Sequence, residues 1–274
     1  MGLDSLFDTH CHLDASPLGE DVEGCLARAA QRGVARVLVP GTEPSQWAAL
    51  AAMRARHASV SIAVGIHPQC LPDLSDADVA EGLSDLAASA RLFDAVAIGE
   101  CGFDGATAKT RAVSLERQAA VVRAHVEVAD ALGLPLIVHV LDAMGFALAF
   151  FESLGPRTHG AVLHAFGGPA ALVPRWSALG FSFGIGPSIT WARAKRPKEA
   201  ARVVPLDRLL LETDAPETYV HEAPSRVGEP AQVRDVLDAL ATIREESLAT
   251  LADHAADNAR RLFSRTRGAQ GPAP

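Results

Sequence analysis

The sequence predicts an α/β chain folded as a closed (β/α)8 barrel, a TIM barrel, and three observations carry the prediction. Eight short apolar runs recur along the 274 residues. Each is followed by a longer segment rich in alanine and leucine, and strict β-then-α alternation gives a parallel sheet. The runs lack apolar–polar alternation, as in L-P-L-I-V-H-V and R-L-L-L-E-T-D, which suits strands covered on both faces. Eight such units in this length fill a barrel of ~250 residues. An open dinucleotide-binding sheet has no local support, because no G-x-G-x-x-G follows the first run.

The expected elements follow in order. Leu6–Asp8 precedes a helix over Val22–Arg32, Arg36–Pro40 precedes Pro44–Arg56, and Val60–Val64 precedes Asp76–Ala90. Ala95–Gly99 precedes Thr110–Leu132, Leu136–Val140 precedes Ala143–Leu154, and Ala161–Leu163 precedes Pro169–Leu179. Phe181–Ile185 precedes Pro197–Val204, and Arg208–Glu212 is the eighth strand. Apolar residues in the helical segments recur at three- and four-residue spacing. Gly33, Gly133, Gly155 and Gly180 stand where helix C-caps belong. A loop rich in Pro, Glu and Gly, Ala215–Pro230, leads to two further helices, Ala231–Arg244 and Ser247–Leu262. Residues 1–263 therefore read as one barrel domain, and 264–274 as a disordered polar tail.

Composition narrows the function. With 25 basic and 33 acidic residues the formal charge is −8, which weighs against coating nucleic acid through bulk charge. The four cysteines, Cys11, Cys25, Cys70 and Cys101, include no C-x-x-C pair, so neither a disulfide framework nor a cysteine zinc site is expected. A cytoplasmic location is expected, since the N-terminus lacks the basic and apolar regions of a secretory signal. No uninterrupted apolar run reaches ~18 residues, so no membrane span is expected.

The chemistry lies in where histidines and carboxylates fall. In a barrel of this kind the site is built at the C-terminal ends of the strands. Strand 1 ends in D-T-H-C-H-L-D, and His10 and His12, two apart on extended chain, point to one side. Strand 3 ends at G-I-H-P (His67), strand 4 at I-G-E-C-G-F-D (Glu100, Asp104) and strand 5 at I-V-H-V (His139). Strand 6 ends at V-L-H-A-F-G-G (His164) and strand 8 at L-E-T-D-A-P (Asp214). Any one of these suits a polar group at a core edge, and His67 before a proline is more often a turn residue. Their joint placement asks for a cation, because burying several unpaired ionisable groups in one place is costly. His10, His12 and Asp214 make one metal site, His139 and His164 a second, and Glu100 is the bridge. Two cations ~3.5–4 Å apart can activate a water and clamp an in-line displacement, the usual arrangement for phosphoester cleavage. Asp214 can ligate a metal and accept the proton of that water, which makes Asp214 and Glu100 the expected catalytic residues. His57, His125, His159, His221 and His254 are given no role.

These motifs, together with P-L-D-R-L-L-L-E-T-D-A-P and D-N-A-R-R-L-F, resemble the TatD family of metal-dependent deoxyribonucleases, in family order from residue 8 to residue 263. The resemblance implies an amidohydrolase-like TIM barrel with divalent-metal phosphodiesterase activity, often as a 3′–5′ exonuclease on DNA. By motif position it implies His10, His12, Glu100, His139, His164 and Asp214 as metal ligands, and His67 as a neighbouring residue of open role. Three motifs depart from the pattern. Leu141 stands where an arginine usually follows the strand-5 histidine, Gly105 where an aromatic is common, and strand 6 reads H-A-F-G-G rather than H-C-F-S-G. Losing the arginine removes a possible phosphate contact while leaving the metal donors in place.

After strand 7, T-W-A-R-A-K-R-P-K sets Arg193, Lys195, Arg196 and Lys198 beside Trp191. This loop can hold a nucleic-acid backbone and stack a base, or can be a solvated approach to a helix. Arg226 is a weaker candidate of the same kind. The expected function is a metal-dependent phosphodiesterase with two divalent ions (Zn, Mg or Mn) acting on single-stranded DNA or a 3′ end, as a monomer or weak oligomer. The alternatives are a same-fold hydrolase of a small ester, amide or phosphoester, and a non-catalytic docking barrel.

Overall fold

The structure is a computed structural model that describes residues 5–221 and 227–264. Arg226 and the expected tail beyond Ser264 lie outside the described residues. Eight parallel strands form one sheet in sequence order. They are β1 (Leu6–Asp8), β2 (Val34–Pro40), β3 (Val60–Val64), β4 (Ala97–Asp104), β5 (Leu136–Leu141), β6 (Ala161–Leu163), β7 (Phe181–Ile185) and β8 (Leu209–Leu211). The Thr9 N–H donates to the Leu211 carbonyl at 3.0 Å, and the Asp214 N–H to the His10 carbonyl at 2.8 Å. With a parallel bridge between Cys11 and Ala215, these bonds bring β8 onto β1 and close the barrel.

The helices are α1 (Val22–Gln31), α2 (Trp47–Arg56), α3 (Asp76–Leu92), α4 (Gly105–Thr110) and α5 (Leu115–Leu132). They continue as α6 (Met144–Leu154), α7 (Val173–Ala178), α8 (Lys195–Val203), α9 (Val233–Arg244) and α10 (Leu248–Phe263). Local signals explain their ends. Ser75 and Asp78 form a reciprocal capping box at the start of α3, and Gly133 takes φ +67° after α5, the left-handed C-cap that its sequence position implies.

Two expectations are corrected. The fourth strand does not stop at Gly99 but continues through E-C-G-F-D to Asp104, so Glu100 lies within the strand. Its register against β5 shifts between Ile98 and Cys101, and a Cβ on Gly102 would collide with the His139 carbonyl oxygen. Only glycine lets the two strands approach there. The helix expected over Thr110–Leu132 starts later, at Leu115, and a separate short helix, α4, precedes it, because Ala112 has φ +57° and Ser114 caps a new start by accepting from the Arg117 N–H.

Strand residues sort by alternation into two sets. Leu6, Val37, Val39, Ile62, Val138, Leu163, Phe183 and Leu211 pack with helix residues such as Leu50, Leu86, Val122, Leu148, Trp176 and Leu237. Their neighbours Phe7, Leu38, Ala63, Ala97, Ile137, Val162 and Leu210 face the barrel interior, with Ala259 and Phe263 of α10 packed among them. The ionisable residues stand at the opposite end of the same interior.

Candidate metal centre

Glu100 is the hub. It is almost wholly buried, and its two oxygens face five imidazoles. Oε2 lies 3.1 Å from His10 Nε2 and 3.5 Å from His12 Nε2. Oε1 lies 2.9 Å from His164 Nε2, 3.1 Å from His67 Nε2 and 3.4 Å from His139 Nδ1. Asp214 Oδ1 stands 3.7 Å from His10 Nε2 and 3.8 Å from His12 Nε2. All six expected ligands are therefore brought together, and His67 with them.

The donor set fits a cation. His10 Nε2 and His12 Nε2 approach to 3.3 Å, and His139 Nδ1 and His164 Nε2 to 3.0 Å, so ring nitrogens converge in pairs. Both Glu100 oxygens are buried without a hydrogen bond of good geometry. Ligand atoms of His10, His12 and Asp214 lie within 4.8 Å of one another, as do those of His10, Glu100 and His164, and of His67, Glu100 and His139. Buried imidazoles and carboxylates in such groups are the donors that zinc and other divalent transition ions select.

Without a cation the charges adjust to one another. Burial and the neighbouring His164 push His10 down to about 4. Burial alone would lower His164 as well, but the Glu100 charge outweighs it and raises that imidazole to about 10. Burial likewise works to raise Glu100, yet His164, His67 and His10 hold its carboxyl well below the usual range. Glu100, with Asp214 and Glu212 beside it, thus favours positive charge among these imidazoles, a demand that bound cations would meet.

A ring of supporting residues fixes these side chains. Asp104 caps α4 by accepting from the Thr107 N–H at 2.7 Å, accepts from Gln69 Nε2 at 2.7 Å and faces His139 Nε2 at 3.4 Å. Gln118 in turn accepts from the Asp104 N–H at 2.7 Å. Asp8 is buried and accepts from the Thr213 hydroxyl at 2.6 Å and the Thr213 N–H at 2.9 Å, tying the end of β1 to the segment that carries Asp214. Glu212 accepts from the Ala165 N–H and lies 3.9 Å from His164 Nδ1, and burial pushes its carboxyl up to about 7. His125, given no role by sequence, accepts the Ile66 N–H at Nε2 (2.9 Å) and so fixes the chain beside His67.

Of these, Asp8 and Glu212 had a signal in the sequence: each is a carboxylate embedded in an apolar strand. His125 had none, because its partner is 59 positions away.

The centre forms the floor of a cavity of about 450 Å³, lined also by Asp14, Thr42, Gln69, Cys70 and Glu217. Among the described residues, no lysine or arginine lines it. Trp191, Arg193 and Lys195, expected on the substrate side, do not line it either. The Trp191 N–H donates to the Tyr219 carbonyl at 3.1 Å, and its ring packs on Tyr219 and His221. Lys198 borders a separate cavity with His221 and Asp235. Only Arg196 of the basic group reaches a cavity that His164 also borders.

Comparison with known proteins gives a consistent picture. The family described as TatD related DNase matches residues 7–264. The uncharacterized metal-dependent hydrolase YabD of Bacillus subtilis is 31% identical over 258 residues, covering 94% of this chain and 98% of that protein. The 3′-5′ ssDNA/RNA exonuclease TatD of Erwinia amylovora is 31% identical over 264 residues, covering 94% and 99%. The crystal structure of the TatD homolog YjjV from Escherichia coli superposes with a TM-score of 0.87 at 30% identity, over 96% of this chain and 99% of that one.

Proposed function

The chain belongs to the TatD-related DNase family and is a metal-dependent hydrolase; from that premise we propose that it is a phosphodiesterase with a two-metal centre that releases nucleotides from the 3′ end of single-stranded DNA. The observation that carries the reading is the position of Glu100, a single buried carboxylate shared between two groups of donors at the floor of an open cavity. His10, His12 and Asp214 would hold one cation, His139 and His164 the other, with Glu100 reaching both. When bound, the cations supply Lewis-acid activation of water and offset charge on the phosphate. Imidazole donors suit Zn²⁺, and the carboxylates with phosphodiester chemistry also admit Mn²⁺ or Mg²⁺. Relatives named as 3′-5′ ssDNA/RNA exonucleases support the substrate class.

The chain's own groups divide the remaining work. Asp214 accepts the proton of the attacking water, because its carboxylate lines the cavity and is 17% exposed against 1% for Glu100. Its backbone is held in place by the bond to the His10 carbonyl. His67 accepts the Gln69 N–H at Nδ1 (3.2 Å), which leaves the proton on Nε2, aimed at Glu100. It therefore acts as a hydrogen-bond donor at the centre, holding Glu100 or a substrate oxygen.

A 3′-labelled single-stranded DNA incubated with Mg²⁺ or Mn²⁺ tests the reading. Wild type is expected to release labelled nucleotide, and Asp214→Asn, assayed at saturating metal because Asp214 also belongs to one donor group, to lower kcat by at least ~10²-fold. No release by wild type, together with turnover of small esters, would favour the second reading. That reading, a hydrolase of a small ester, amide or phosphoester, draws on the absence of lysine and arginine from the cavity lining among the described residues. A non-catalytic docking role does not fit a family of metal-dependent hydrolases.

A further inference from the structure

Beyond the metal centre, His164 is a shared wall. On its far side lies a second chamber of about 260 Å³, bounded by Leu141, the exposed Asp142, Met144, Phe166, Gly168 and, from the first turn of α8, Arg196. Its chemistry is unlike that of the main cavity. Phe166 is buried and braced edge-on against Phe183 with ring centroids 4.8 Å apart, so this wall is fixed. A Cβ on Gly168 would lie 2.8 Å from the Phe166 ring and 2.9 Å from Met144 Cε, so glycine there is what lets the two apolar walls meet. Leu141 is 44% exposed at the chamber's edge, one of few large apolar side chains among the described residues left uncovered. The Arg196 guanidinium makes no hydrogen bond or ion pair with the described residues, and among them it is the one lysine or arginine lining either cavity that His164 borders.

A slot with apolar walls at Met144 and Phe166, with the Arg196 cation and the Asp142 carboxylate at its edge, lies beside the hydrolytic centre and matches a ligand that is flat and apolar at one end and meets the arginine with an anionic group at the other. We propose that this chamber receives the aromatic ring carried by a phosphodiester, a nucleobase being the natural instance, while Arg196 meets the phosphate. The phosphate half rests on the phosphodiesterase reading; the ring half does not. Leu141, Ala165 and Gly167 all line this chamber, and Arg196 reaches it from α8.

The test is calorimetric titration of diphenyl phosphate and dimethyl phosphate into the metal-loaded protein. Wild type is expected to bind the aryl ester at least ~tenfold more tightly. Gly167→Leu should erase that preference by filling the chamber. The position tolerates a side chain, since its Cβ would sit 3.4 Å from Pro197 Cγ. Should Gly167→Leu fail to fold, Leu141→Ser, at an exposed position, should reduce the preference instead. Arg196→Ala should weaken both ligands severalfold and equally. Equal binding of the two esters by wild type, or a preference that survives both chamber variants, overturns the ring assignment, and an Arg196→Ala protein that binds both esters normally overturns the phosphate contact. If wild type releases no nucleotide from DNA yet keeps the aryl preference, the nuclease reading fails and the chamber stands. If it releases nucleotide but shows no aryl preference, the nuclease reading stands and the ring assignment fails.

Discussion

The two ends of the barrel interior are built from the same eight strands and the same two-residue alternation, yet they solve opposite problems. At the end where the strands begin, Phe7, Leu38, Ile137, Val162 and Leu210 fill the space. Phe263 closes it against Phe7 with ring centroids 5.9 Å apart. That end is complete in itself, because apolar contacts leave nothing to satisfy. At the other end the interior holds His10, Glu100, His139 and His164, with Asp8 and Glu212 beneath or beside them, and several of their atoms lack hydrogen-bond partners. The contrast teaches that the upper interior depends on something the chain does not contain, whereas the lower interior sustains the fold that holds it open.

The sharpest way to break this division is at its hub. Glu100→Gln removes the one anion that faces five imidazoles. Metal content by elemental analysis should fall, and hydrolysis should drop by ~10³-fold or more, because both donor groups lose their shared member. Retention of full metal content would show that the two groups do not depend on Glu100. The matching lesion below is Phe263→Ala, expected to cost about 3–4 kcal/mol of unfolding free energy in a urea titration. The folded fraction should keep wild-type kcat. A loss of kcat per folded molecule would show that the two ends are not separable.

The chemistry of the upper end was legible because it depends on local rules. Histidines and carboxylates at strand ends share one rim in a parallel barrel, so D-T-H-C-H, I-V-H-V and L-E-T-D place their side chains without knowledge of packing. The strand series was legible for the same reason, except at β4. There the glycines that usually end a strand instead allow a close crossing with β5. Of the supporting ring only the carboxylates Asp8, Asp104 and Glu212 left a trace in the sequence; their partners, His125 and the second chamber were not legible, because they arise from contacts between residues far apart in sequence. The basic stretch after β7 shows this best. Along the sequence, Arg193, Lys195, Arg196 and Lys198 form one patch. Because α8 begins at Lys195, successive residues turn by ~100°, and Arg196 and Lys198 reach different cavities.

The brace between β1 and β8 offers an intermediate test. Thr213→Val removes the hydroxyl that donates to Asp8 and accepts from the Ala215 N–H at 3.2 Å, leaving buried polar groups without partners. A loss of about 1–3 kcal/mol is expected, accompanied by weaker metal binding, since His10 and Asp214 flank the brace. Loss of stability with unchanged metal affinity would limit the brace to the fold.

The last test concerns pH, and it belongs to the upper end alone. His125 is fully buried, accepts the Ile66 N–H and donates from Nδ1 to the Val121 carbonyl at 2.8 Å, a neutral arrangement with no place for a second proton. Burial pushes it down to about 4 from an ordinary 6.5. Between those values the unfolded chain binds the proton and the folded chain does not. The stability that neutral His125 contributes is therefore fully present above about pH 6.5 and is lost as pH falls toward 4. The slope from this one group approaches about 1.4 kcal/mol per pH unit within that window. His125→Gln retains an acceptor and cannot titrate, so its curve of unfolding free energy against pH should be flatter by up to one proton, while a lower-end variant such as Phe263→Ala should shift the whole curve without changing its slope. Parallel curves for wild type and His125→Gln would mean that this imidazole is not held neutral. The pH sensitivity of the upper end would then have to come from the imidazoles around Glu100.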